Sequence, residues 1–173
     1  KVTFSRELYV EQDDFMAEPV KKYFRLFPGN EVRFKSAYFI KCNSYDTDEN
    51  GNVTCLHCTY DPESRGGNSP DGRKVKGTIH WVNANDCKQC EVRLYDRLFS
   101  AEEPGKNGDY FDDLNPDSLE VIENCLLEGG FENAKPGDTF QFMRNGYFCV
   151  DKDSTEDKLV FNRTVALNSS WGK

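Results

Sequence analysis

The sequence predicts a mainly β fold, arranged as one barrel on the six-strand scale or as a pair of barrels. Three observations carry this. Apolar residues recur with a period of two almost everywhere, the mark of strands with one buried face. Helical periodicity is weak, and its best stretch, 11–24, is broken by Pro19. Short apolar runs are divided by Gly-, Asn-, Asp- and Pro-rich turns without a fixed repeat, which suits tightly connected strands better than an alternating α/β order.

Taken in order, Val2, Phe4, Leu8 and Val10 alternate with Thr3, Ser5, Glu7 and Tyr9, so the chain opens as a strand. The stretch 31–41 reads as one strand, with Val32, Phe34, Tyr38 and Ile40 on one face and Arg33, Lys35 and Lys41 on the other. Asp48-Glu49-Asn50-Gly51 is a hairpin turn, and 53–61 is its returning strand. A Gly/Ser/Pro loop follows at 62–72, then strands at 73–82 and 91–99. Residues 101–118 form an acidic, turn-rich loop with one short helix. A hairpin around Asn145-Gly146 spans 138–150, and 159–167 is a final strand. Composition shifts near 83–89 and 151–158 mark crossings between two lobes.

A length of 173 residues accommodates one domain or two small ones, and 13% aromatic content is too high for a disordered segment. The net charge of −8 argues against binding nucleic acid by bulk charge, while leaving room for a local basic face. No apolar run approaches the ~18 residues that span a bilayer. The opening KVTFSRELYV has neither an initiator Met nor an apolar secretory core, so a piece of a longer cytoplasmic protein is expected. Seven cysteines without a secretory signal read as reduced thiols, and the sequons at Asn52, Asn162 and Asn168 then carry no meaning.

Four chemistries can be weighed. Cys55-x-x-Cys58 and Cys87-x-x-Cys90 have zinc-ribbon spacing. However, Cys55 and Cys58 lie in a strand pattern, where residues three apart face opposite ways, so buried or edge thiols are expected and no metal. His57 and His80 also fall in strands, without a nucleophile elbow or a Ser-His-Asp order, and read as packed or surface histidines. Asp13-Asp14 and Asp112-Asp113 read as caps or solvated faces rather than catalytic carboxylates, and GRKVKG at 72–77 lacks the glycines of a phosphate loop. Basic residues beside aromatics are the remaining signal: KKYFR at 21–25, Arg33 and Lys35, Arg73-Lys74-Val75-Lys76, and Arg144 at a hairpin tip. That pairing suits single-stranded RNA, whose splayed bases stack on rings and offer their edges; the alternative is that these cations are simply solvated.

The strings CTYDPESRGG and DGRKVKGTIHWV within 58–82, EVRLYDRLFS at 91–100, FQFMRNGYFCVD at 140–151 and FNRTVAL at 161–167 closely resemble the C-terminal, anticodon-binding part of the glutaminyl-tRNA synthetase family. The resemblance runs from Phe4 to Trp171. It implies two β-barrels of the ribosomal-protein-L25-like kind. The proximal barrel would take residues 1–86 and be completed by a returning strand at 159–173, and the distal barrel would take 87–158. The implied parent is a class I ligase joining glutamine to its tRNA with ATP and magnesium. Its HIGH-like and KMSKS-like strings do not occur here, so this chain is expected to hold no catalytic site and no cofactor. The implied partners are the anticodon stem-loop of glutamine tRNA and the parent's own catalytic module, with neither a membrane nor DNA among them.

Carried over position by position, the resemblance assigns anticodon-loop contacts to Lys22 and Arg25 in KKYFRL, to Arg33 and Lys35 in the strand that follows, and to Gln141 and Arg144 on the distal hairpin, where they would meet the central base. Alternation supports the choice, since Gln141 faces away from Phe140 and Phe142. Three positions depart from the family pattern. Phe24 stands where a well-known bacterial member has Lys. Lys35 stands where that member has Arg, and a Lys lacks the planar fork of donors. Asn168 replaces a basic residue near the end of the chain. A rival reading from another class is a zinc-stabilised protein-interaction module.

Overall fold

The parity of the apolar pattern through residues 31–41 survives into the structure, although one strand becomes two. In this computed structural model, which describes residues 1–66 and 69–167, β2 (Glu31–Phe34) and β3 (Phe39–Thr47) form a hairpin. The turn between them is closed by Ala37 N donating to Phe34 O at 2.9 Å, with Ser36 at φ +58°. The four residues of the turn preserve alternation, so Val32, Phe34 and Ile40 still point inward together.

The chain divides into two compact units, residues 2–86 and 87–173. In the first, β1 (Leu8–Tyr9) pairs with β6 (Val82–Asn83), and a four-stranded sheet runs β4-β3-β2-β5, with β4 at Val53–Asp61 and β5 at Thr78–Ile79. Its core is Leu26, Val32, Phe34, Ile40, Cys42, Ile79 and Trp81, with Phe4, Leu8 and Phe15 packed on it. The Asp48 turn forms where the sequence places it. Asp48 Oδ1 accepts from the amides of Asn50 and Asn52 at 2.9 and 2.8 Å, an Asx arrangement that fixes the β3–β4 hairpin.

Two strands expected in this unit are shorter than the pattern suggested, and so is the helical stretch between them. The opening strand reduces to Leu8–Tyr9, and the broken helix at 11–24 to one 3-10 turn, Gln12–Asp14. The strand expected over 73–82 survives only as Thr78–Ile79 and Val82–Asn83. Arg73 is drawn instead into an ionic cluster, and Trp81 Nε1 donates to Lys35 O at 3.0 Å, capping the β2–β3 turn.

The second unit is a five-stranded sheet in the order β8-β7-β11-β10-β9, with β7 at Lys88–Tyr95, β8 at Leu119–Leu127, β9 at Thr139–Phe142, β10 at Gly146–Val150 and β11 at Leu159–Ala166. β7 begins and ends earlier than the expected 91–99, while the 101–118 loop holds its short helical turn at Tyr110–Asp113. The aromatic core joins Phe131, Phe140, Phe142, Phe148 and Phe161, with Phe142 stacked on Phe148 at 4.4 Å.

The final strand is a correction. Expected to return to the proximal barrel, β11 lies in the second sheet, parallel to β7 and antiparallel to β10. The cause is its core pair: Phe161 is fully buried against Phe131, Phe140 and Phe142, and Val160 is 2% exposed. The part of that expectation over 168–173, Asn168 included, lies outside the described residues. The mainly β class is as expected. Among the described residues the ladders run from edge to edge without closing, and no helix is long and apolar enough to cross a membrane.

Candidate nucleic-acid interface

Two of the six carried-over residues occupy left-handed backbone. Lys22 has φ +70° and Arg144 has φ +72°; the other non-glycine residues with positive φ among the described residues are Ser36 and Asn124. Lys22 is the third residue of a turn closed by Tyr23 N donating to Val20 O at 3.1 Å, and its side chain is exposed. Arg144 is the third residue of a turn closed by Asn145 N donating to Phe142 O at 3.0 Å. The left-handed non-glycine position at the hairpin tip is therefore Arg144, two residues before Gly146 at φ +145°, and not Asn145. A long side chain in this region costs roughly 1–2 kcal/mol and persists where the surroundings over-determine it, as at functional sites.

In the first unit, Gly77 is where three segments meet. Its carbonyl accepts from Arg33 N at 2.8 Å, and a Cβ on it would stand 1.9 Å from the Phe24 carbonyl oxygen. The exposed ring of Phe24 lies beneath the Lys76 ammonium, 5.2 Å from nitrogen to centroid. The Phe24 ring thus carries a cation from the neighbouring segment. Sequence reasoning singled out Lys76 only as part of a basic run; the Gly77 that brings it beside Phe24 was the missed signal. Lys35, also exposed, opens the β2–β3 turn, its amide donating to Ile79 O at 3.0 Å.

The arginines differ in what holds them. Arg33 lies over the Phe39 ring at 4.8 Å, and Arg73 over the same ring at 5.1 Å. Arg73 is bound by Glu31 at 2.8 Å, Asp61 at 2.6 Å and Asp71 at 2.6 Å, which together raise its affinity for its proton further and spend its charge within the unit. The same guanidinium holds the Asp61 carboxyl below the usual range. Arg25 donates to Asp13 O at 2.8 Å and stands 3.3 Å from the carboxylate of buried Asp14. It clips the Gln12–Asp14 turn to the segment that carries Lys22 and Phe24, so its first role is to position that segment.

In the second unit Gln141 is exposed on β9, opposite Tyr147, while Phe140 and Phe142 turn into the core. The expected alternation holds at this pair. Tyr110 and Phe111 form a further exposed ring pair, 4.3 Å between centroids, which sequence reasoning passed over inside an acidic loop.

Each CxxC pair belongs to a different unit. Cys55 and Cys58 lie in the first unit, with Cys58 opposite Cys42, whereas Cys87 and Cys90 lie in the second, with Cys90 opposite Cys125. The Cys90–Cys125 thiol hydrogen bond raises Cys90 and lowers Cys125.

Residues 1–61 and 78–151 match two family models, each described as tRNA synthetases class I (E and Q), anti-codon binding domain. Among curated proteins the chain is similar to the glutamine–tRNA ligase of Clostridioides difficile, 55% identical over 172 residues, covering 98% of this chain and 31% of the relative. It is also similar to that of Bradyrhizobium diazoefficiens, 51% identical over 173 residues, at 100% and 31% coverage. The corresponding figures for Pseudomonas putida are 52% over 173 residues, at 98% and 30%. The chain spans about three tenths of the length of these relatives.

Proposed function

The chain belongs to the anticodon-binding domains of class I tRNA synthetases of the E and Q type, and from that premise we propose that it reads the anticodon of glutamine tRNA for a glutamine–tRNA ligase. The observation that supports this reading best is the pair of turns that hold Lys22 and Arg144 in left-handed backbone. Neither turn needs a long cation to close it; Gly would fit both at lower cost. A long cation carried on such a turn suits a ligand that offers both negative charge and base edges. The negatively charged phosphates and unstacked bases of an anticodon loop are such a ligand.

In this reading Lys22, Lys35 and Arg33 meet the loop from the first unit, and the Phe24 ring beneath Lys76 offers a stacking surface. Gln141 and Arg144 meet the central base, Gln141 with both a donor and an acceptor, Arg144 with its planar fork. Arg25 positions the Lys22 segment. ATP and magnesium belong with the catalytic module of the parent, in the cytoplasm, and the domain itself uses no cofactor for binding. The test is equilibrium binding of the glutamine-tRNA anticodon stem-loop against loops altered at one anticodon base. A preference for the cognate loop supports the reading, and equal affinity for all loops sinks it.

A further inference from the structure

We propose that the β3–β4 hairpin carries a binding site for a thiophilic divalent cation of the zinc class, held by Asp46, Cys55 and His57. One donor atom from each lies within 4.8 Å of the others. The strand chemistry explains how they meet. On β4, Cys55 and His57 are two residues apart and share a face, while Leu56 between them packs on the core. On β3, Asp46 is the direct cross-strand partner of Cys55. A register shift follows immediately between Asp46 and Thr47, and bulges of this kind sharpen the local twist. The diagonal neighbour His57 is thereby within reach, its Nε2 2.7 Å from Asp46 Oδ2.

The donor set decides the ligand. A thiolate, an imidazole and a carboxylate suit zinc and its neighbours, whereas magnesium and calcium take oxygen donors. With Zn–N and Zn–O near ~2.0–2.2 Å, a metal replacing the proton between His57 and Asp46 needs their atoms about 3.3 Å apart. Both side chains are more than half exposed, so a small rotation supplies that. Three protein donors leave one position for water. The surrounding charge favours a cation: Asp48 and Glu49 lie at the hairpin tip. The site uses Cys55 without Cys58, so it is not the ribbon that the spacing suggested. It is independent of the anticodon reading and of the stability of the core.

The competing description is a surface His–Asp pair, worth about 0–1 kcal/mol, with Cys55 as a bystander. Cobalt separates the two. Reduced, metal-stripped protein is titrated with Co²⁺. The expected result is a thiolate-to-cobalt charge-transfer band in the near ultraviolet, saturating at one equivalent and bleached by Zn²⁺. Cys55→Ser abolishes the band, His57→Ala weakens cobalt binding at least ~10-fold, and Cys149→Ser, in the other unit, changes nothing. Because all three donors are exposed, the variants keep the fold, which circular dichroism verifies. Absence of the band in the unaltered protein overturns the proposal, and so does a band that follows Cys58→Ser rather than Cys55→Ser.

Discussion

Arg25 Nε stands 3.3 Å from Oδ1 of Asp14, a carboxylate with no solvent exposure at all. An arginine that the family resemblance assigns to RNA is thus also the cation that accompanies a buried acid. Arg25→Ala leaves that acid with one partner fewer, and we expect a loss of about 1–2 kcal/mol of stability, read by urea denaturation. Affinity for the stem-loop should fall similarly for cognate and altered loops, because the Lys22 segment loosens as a whole. An unchanged urea midpoint would return Arg25 to a purely RNA-facing role.

Arg144 is expected to behave in the opposite way. Arg144→Ala keeps the fold and costs roughly 1–3 kcal/mol of binding to the cognate stem-loop, less for a loop with a changed middle base. Arg144→Gly relieves the φ +72° backbone and raises stability by up to about 1 kcal/mol while losing the same affinity. Stability and binding moving apart in one variant is the measurement that matters; equal, small losses across loops would mark Arg144 as a surface charge.

Lys22 meets phosphate in the proposed reading. Lys22→Ala should weaken all loops alike and lower the slope of log affinity against log salt by about one. Base-selective loss at unchanged salt slope would move Lys22 to a base-reading role.

Gly77 has no room for a side chain. A Cβ there would sit 1.9 Å from the Phe24 carbonyl oxygen and 3.1 Å from Val32 Cγ1. Gly77→Ala is therefore expected to lower stability by about 2 kcal/mol or more, measured by thermal or urea unfolding, and to displace the Phe24–Lys76 pair. Wild-type stability in that variant would mean that the two segments separate freely.

Acid should weaken the second unit through Glu91. Lys158 and then Arg93 donate to its carboxylate, at 2.6 and 2.7 Å, and hold it below the usual range. A depressed folded value means that the contribution is complete above the unfolded value near ~4.3 and is lost as pH falls through the folded one. Glu91→Gln is expected to cost about 1–3 kcal/mol at neutral pH. Its stability curve should converge on that of the unaltered protein under acid, where both carry a neutral side chain. Parallel curves down to low pH would contradict this.

The sequence was most legible where alternation and turn chemistry agree. Asp48 through Gly51 fixes a turn with its own side chain, and β4 follows at 53–61 as the pattern requires. Phe140, Gln141 and Phe142 alternate as expected because each ring has a deep core to enter. Legibility failed where tertiary contacts overrule a local pattern. Residues 73–77 carry an alternating run, yet Arg73 is pulled to Glu31, Asp61 and Asp71. β8 was passed over because Leu119 to Asn124 are all exposed and so lack a buried period, and Asn124 at φ +59° breaks the strand geometry. At the site, residue types named the candidates, but no spacing could say that Arg25 is engaged by Asp14 while Lys22 is presented on a turn.

The central seat of β11 has a consequence for the order in which the chain acquires its shape. β7 emerges from synthesis long before residues 159–166, yet β11 is its parallel neighbour and also the antiparallel neighbour of β10. Until that late segment arrives, the β7–β8 ladder and the β9–β10 hairpin each expose an unpaired strand edge, the kind of surface on which chains stick to one another. The first unit draws its β3–β4 hairpin from adjacent sequence and can close early. The nascent second unit is therefore the aggregation-prone half, and a ribosome that stalls before Leu159 releases a protein with one finished half and one open sheet.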